Sequence, residues 1–200
     1  MNYEALQSAW RAHANNPSAA ASAYLINEAQ AELARRRVHL RGLLVFAGVM
    51  LTIPLALMGL DIATGQADTI DLGREWGLIP FALIPFAALI LIARRAAPPA
   101  PAPQGALLDT FRALRADNAA ARLRILIIGA SMLVFAPLLF VLLGQLVAVG
   151  KMAPYEMGSA AFVLGGALAL SALWMGVKYA TQLAPERRHL DALIAQYEAA

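Results

Sequence analysis

The chain contains no cysteine. Disulfides, thiolate metal centres and cysteine nucleophiles are therefore excluded. Charge is scarce too. Asp, Glu, Lys and Arg make up 14% of the 200 residues and hydrophobic residues 60%, where a water-soluble domain carries roughly 25% and 45–50%. The shortage is also uneven. Four stretches hold no charged residue: Gly42–Leu60, Trp76–Ala93, Ile125–Gly150 and Met157–Val177, of 19, 18, 26 and 21 residues. A helix rising about 1.5 Å per residue crosses a bilayer core of about 30 Å with roughly 20 residues. The expected fold class is all-α: an integral membrane protein with four transmembrane helices plus cytoplasmic amphipathic helices. A soluble bundle with buried helices is the alternative, and four charge-free runs in so short a chain argue against it.

Other absences narrow the chemistry. No charge-free run contains Asp, Glu, Lys, Arg or His, and the polar side chains there include Thr52, Ser131, Gln145 and Ser171. Transporters and pumps place ionisable groups inside the membrane because ion movement needs them, so coupled transport is disfavoured. His13, His39 and His189 lie far apart and outside the runs, which disfavours an intramembrane haem. No HExxH or GxSxG motif occurs, and Gly144 to Lys151 departs from the phosphate-loop spacing. The expectation is a protein that is not an enzyme and holds no cofactor or metal. Asp61, Asp68, Asp71 and Glu75 crowd one loop and read as a solvated surface.

The charges that are present set an orientation. Residues 1–41, 94–124 and 178–200 hold 14 of the 16 Lys and Arg, against 8 acids; residues 61–75 and 151–156 hold Arg74 and Lys151, against 5 acids. Basic residues flanking spans stay cytoplasmic. Both termini and the middle loop are therefore expected inside a bacterial inner membrane. The basic residues hug the ends of the runs, so topology and attraction to anionic lipid account for them; direct nucleic-acid binding is not expected. No signal peptide is visible, since the first apolar run starts at residue 42 without a small-residue cleavage site.

Six segments follow: N-terminal cytoplasmic helices over 1–41, a first transmembrane hairpin over 42–95, and an Ala/Pro linker over 96–105. A cytoplasmic helix over 106–124, a second transmembrane hairpin over 125–178 and a cytoplasmic C-terminal helix over 179–200 complete the chain. Arg41 precedes Pro54 by 13 residues, as Arg124 precedes Pro137. An offset of 83 thus lays one hairpin on the other, which a two-fold parallel repeat would explain. Apolar residues at helical spacing mark the amphipathic segments. These are Tyr3, Leu6 and Trp10; Leu25, Ile26, Ala29 and Leu33; Leu107, Leu108, Phe111 and Leu114; and Leu190, Leu193, Ile194 and Tyr197. They can pack on one another, lie on the membrane or bind a partner. In the fourth run Gly158, Ala161, Gly165, Ala169, Ala172 and Gly176 recur at three- and four-residue steps. Such seams let helices approach closely, within the chain or between copies in a homo-oligomer.

Leu6-Gln7-x-x-Trp10, Pro17, the helix entering Arg35-Arg36-Arg37 and the ending Arg187-Arg188-His189-Leu190-Asp191-Ala192-Leu193 together carry a resemblance. The chain resembles a group of small bacterial membrane proteins found beside extracytoplasmic-function sigma factors and regarded as anti-sigma factors. The similarity covers residues 3–45 and 186–197. It implies a regulatory protein whose N-terminal cytoplasmic helices hold a sigma factor at the membrane, with Tyr3, Leu6, Trp10, Leu25 and Leu33 as partner-binding residues. The departures are the missing zinc-binding His and Cys motif and outer loops of only 15 and 6 residues. The competing expectation is a structural or accessory subunit of a larger membrane complex docking through the small-residue seam. A small transporter or channel comes third.

Overall fold

The computed structural model describes residues 19–64, 73–95 and 107–198, and these are helical almost throughout. Helix α1 runs Ala19–Ala63, α2 Leu78–Arg95, α3 Leu107–Ala148 and α4 Pro154–Lys178; a π-helical turn, Tyr179–Leu183, leads into α5, Ala184–Glu198. No strand occurs among the described residues. Four helices are long and apolar enough to cross a membrane. Helices α1 and α3 are long, at 45 and 42 residues, because each charged amphipathic segment continues without a break into the apolar run that follows it. The Ala/Pro linker over 96–105 lies outside the described residues.

The described chain divides into two compact units. A charged unit is built from residues 19–42, 107–122 and 180–198, and an apolar unit from residues 43–64, 73–95 and 123–179.

In the charged unit the amphipathic stripes pack on one another. Ala29 and Leu33 of α1, Leu107, Phe111, Ala113 and Leu114 of α3, and Leu190, Leu193 and Ile194 of α5 form one core, with Ile26, Leu108 and Tyr197 against it. Phe111 and Tyr197 meet edge-on with ring centroids 5.9 Å apart. Each helix alone presents a narrow apolar stripe to water; three stripes facing inward remove all of them at once, which is the driving force. Contacts of Tyr197 with Phe111 and of Leu183 with Asn118 run α5 antiparallel to α3.

The π-helical turn has a local cause. An α-helical register would require the nitrogen of Pro185 to donate to the carbonyl of Thr181. Proline has no N–H, and its ring crowds that carbonyl. Widening the helix by one residue passes the acceptor to the next amide.

In the apolar unit α2 and α3 are antiparallel. Gly77, just before α2, donates its N–H to Gln145 Oε1 near the end of α3 at 3.0 Å, and Phe81 stacks on Phe135 at 4.2 Å. A Cβ on Gly77 would lie 2.7 Å from Gln145 Oε1 and 3.7 Å from Leu142 Cα, so this approach requires glycine. Leu139, Leu142, Leu143, Ala88 and Ile92 are buried. Both helices continue through an internal proline, Pro85 and Pro137. Helix α3 ends at Gly150, whose φ of 77° is left-handed. Gly150 donates to the Val147 carbonyl at 3.1 Å and Lys151 to that of Leu146 at 2.9 Å. Orphan carbonyls at the helix end are satisfied by this glycine-dependent cap. The N–H of Ala153 then donates to Glu156 Oε2 at 2.9 Å as α4 starts.

Leu114 is fully buried at the centre of the charged unit. Leu114→Ala is expected to cost about 2–5 kcal/mol from lost transfer energy and the cavity left behind. Hydrogen exchange should show lowered protection in all three segments of the charged unit together, with α2 amides unchanged. Loss confined to α3 would show that the three segments do not form one cooperative unit.

Candidate functional site

The charged unit encloses a polar centre that the sequence pattern does not announce. Arg36 on α1 reaches Glu32 Oε1 at 3.0 Å, Asp117 Oδ2 on α3 at 3.3 Å and Glu186 Oε1 on α5 at 3.3 Å. Asn118, fully buried, donates its Nδ2 to the Leu183 carbonyl at 3.1 Å and to Glu186 Oε2 at 3.0 Å. One guanidinium and one carboxamide therefore join all three helices. The planar guanidinium suits this position because its fixed fork of donors can face several carboxylates at once. Asn118 reaches the last carbonyl of the π-helical turn, so the turn is tied to α3 directly.

The electrostatics follow from burial and proximity. Burial alone would lower the pKa of Arg36, but Glu186, the hydrogen bond to Glu32 and Asp117 outweigh it and hold the guanidinium charged. The hydrogen bond from Arg36, against the opposing effect of burial, holds the Glu32 carboxyl below its ordinary 4.5. Burial pushes the Tyr197 hydroxyl up. Around this centre, Arg112 pairs with Asp109 and Glu198, and Asp191 with Arg115 and Arg187. Exposed pairs of this kind contribute little each.

Of the residues expected to bind a partner, Tyr3, Leu6 and Trp10 lie outside the described residues. Leu25 lies on α1, and its side chain is likewise outside the description. Leu33 is 3% exposed, in the core against α3 and α5. Its place is inside the bundle, where it holds α1.

The small-residue seam is on α4, which contains no buried residue. A Cβ added at Gly158, Gly165 or Gly176 would meet nothing within 4 Å. Ala161 and Gly165 are half-covered, whereas Ala169 and Ala172 are exposed. Beside them Phe162 is 82% and Trp174 70% exposed.

One expectation is corrected. Glu75 is not part of a solvated loop: it is 1% exposed and ion-paired with Lys151 from the turn between α3 and α4. The Gly150 cap places Lys151 there. Elsewhere in the apolar unit the hydroxyls are satisfied within their own helices. Thr52 donates to the Gly48 carbonyl, Ser131 to that of Ile128 and Ser171 to that of Ala167. Among the described residues no group of three or more His, Asp or Glu side chains could hold a metal ion.

Comparison of the chain with family models, with curated proteins and with solved structures finds no match.

Arg36→Met removes the cation that Glu32, Asp117 and Glu186 share. Allowing for its partial exposure, it is expected to destabilise the charged unit by about 2–3 kcal/mol, below the range for a fully buried pair. Because the folded pKa of Glu32 lies below its unfolded value, its contribution is complete above pH 4.5 and disappears as pH falls through the lowered value. Thermal unfolding in detergent, followed by circular dichroism between pH 7 and 3, should therefore show a smaller acid loss in Arg36→Met than in wild type. Equal acid losses would remove Arg36 from this role.

Proposed function

We propose that the chain is a non-enzymatic regulatory protein of the bacterial inner membrane, with four spans and both termini cytoplasmic, that holds a soluble protein at the membrane. The partner implied by the resemblance is an extracytoplasmic-function sigma factor. The observation that carries this reading is the charged unit. Three separate chain segments, each continuous with an apolar helix or close to one in sequence, assemble into a folded body with its own apolar core and a polar centre. Such a body, continuous in chain with the apolar helices, offers a folded surface to a partner. Its internal stripes are used up in holding it together, so recognition falls to its outer faces and to the segment before α1 with Tyr3, Leu6 and Trp10. An aromatic anchor suits that task because buried Trp and Tyr dominate interface energies.

The apolar unit supports anchoring rather than transport. Among the described residues its Thr52, Ser131 and Ser171 hydroxyls and Gln145 are occupied by backbone groups, and the buried carboxylate of Glu75 is neutralised by Lys151. The exposed aromatics Trp76, Tyr155 and Trp174 fit interfacial belts near the run ends. The paired lengths of α1 and α3, each a charged segment followed by an apolar one, support the parallel repeat.

The test is an affinity capture from detergent extract with the tagged full chain. One soluble protein in near-stoichiometric amount is expected with wild type. Trp10→Ala should lower the amount at least tenfold, the scale of a 1.4 kcal/mol or larger loss. Retention of no soluble protein by the wild type sinks the reading.

A second reading rests on α4, whose seam of small residues is open in the single chain. The protein would then be an accessory subunit of a larger membrane complex docking through that helix. Blue-native electrophoresis separates the two. A complex that survives removal of residues 1–30 but is lost in Gly165→Leu favours the subunit; the reverse favours the first reading.

A further inference from the structure

We infer that the charged half of α1 is a releasable arm: its stripe of Ile26, Ala29 and Leu33 is covered by α3 and α5 in the closed form and is offered to the soluble partner when the arm opens. The inference rests on the partner-holding reading above and adds a second, covered surface to it.

The three segments of the charged unit are unequally held. Between α3 and α5 run the Phe111–Tyr197 ring contact, the bonds from Asn118 to Leu183 and Glu186, and the pairs of Arg112 with Glu198 and Arg115 with Asp191. Both helices bring large buried side chains, Leu107, Phe111 and Leu114 from one and Leu190, Leu193 and Ile194 from the other. Helix α1 brings Ala29 and Leu33 to that core, and its Arg36 reaches Asp117 and Glu186. It lies against an antiparallel pair whose ties do not run through it.

Opening leaves the polar groups provided for. Arg36 keeps Glu32, on its own helix, at 3.0 Å. Glu186 keeps the Asn118 amide at 3.0 Å, and Asp117, whose side chain is 3% exposed in the closed form, gains water. The helix is provided for as well. Residues 19–42 are continuous with the apolar run that ends at Ala63, so the unfavourable nucleation step is already met. Glu32 with Arg35 and Arg36 supports it at three- and four-residue spacing. Helix α5, with 15 residues, is at the length where an isolated helix is marginal in water. Gly42 closes the charged segment of α1, and glycine weakens a helix at the point where the arm would bend. A released α1 therefore presents a formed helix with an apolar stripe and a guanidinium beside it. The partner surface that fits has the chemistry of the one it leaves: apolar side chains around a carboxylate.

The chain has no cysteine, so introduced pairs take spin labels at chosen places only. Ala31, Ala116 and Ala195 are exposed on α1, α3 and α5. In the full chain in detergent, Ala31→Cys with Ala195→Cys reads α1 against α5, and Ala116→Cys with Ala195→Cys reads α3 against α5, by electron–electron resonance. Asp117→Asn with Glu186→Gln removes the charges facing Arg36 and leaves α1 intact. This variant is expected to add a longer α1–α5 distance, with the open-to-closed ratio rising about tenfold or more for the charge-assisted bonds lost. The α3–α5 distance should not change. In affinity capture the same variant should retain more of the soluble protein held by wild type, in proportion to the open fraction, and adding Leu33→Ala should cancel the gain. Both distances lengthening together, which would be loss of the whole unit, overturns the inference, and so does an unchanged α1–α5 distance. Release without a gain over wild-type retention overturns this inference alone; no soluble protein retained in either form sinks the reading it rests on as well.

Discussion

Three helices of the charged unit are held in register by one guanidinium. Apolar packing of Leu33, Leu114 and Leu190 brings the helices together, but a leucine core tolerates sliding by a turn because its contacts are non-directional. The Arg36 contacts do not tolerate it. Slipping α5 by one residue would carry Glu186 away from both Arg36 and Asn118 and leave buried polar groups unpaired, which is costly where water is excluded. Arg36 and Asn118 thus specify the arrangement that the core stabilises. Their reach extends to the π-helical turn, since Asn118 occupies the Leu183 carbonyl at its end.

That turn links the two kinds of chain behaviour in this protein. Up to Lys178 the helix is apolar and contains no buried side chain; beyond it Leu183, Leu190, Leu193 and Ile194 are buried. The register change falls between them, where Pro185 withholds an amide. A proline at the second position of α5 would be unremarkable in an isolated helix, where the first amides have no partner anyway. Here the helix does not start afresh, and the missing amide is absorbed by the wider turn.

Sequence reading reached some of these features and missed others for definable reasons. The four apolar helices were legible because hydropathy sums over about twenty residues and does not depend on what lies opposite. The core of the charged unit was legible as stripes, since Leu107, Leu108, Phe111 and Leu114 share one helical face whatever they pack against. Arg36 was not legible. It sits between Arg35 and Arg37, and only the rotational phase of α1 against α3 and α5 decides which of them reaches Asp117 and Glu186. Glu75 was misjudged for a similar reason. Its burial depends on Lys151, 76 residues later in sequence, and on the glycine cap that aims that lysine. Local pattern carries propensity and amphipathicity; polar pairings between distant segments leave no local trace. The expected partner-binding residues divide on the same line. Leu33 proved to be a core residue, because a stripe on one helix does not reveal whether its complement lies in the same chain.

The two buried charge centres have a common logic. Arg36 with its carboxylates joins three segments of the charged unit, and Glu75 with Lys151 joins the turn after α3 to the start of α2. Each occupies its polar groups in tying chain to chain. Each centre therefore fixes a pairing between segments far apart in sequence, and the burial that hides it from local pattern is also what makes it costly to break from one side alone.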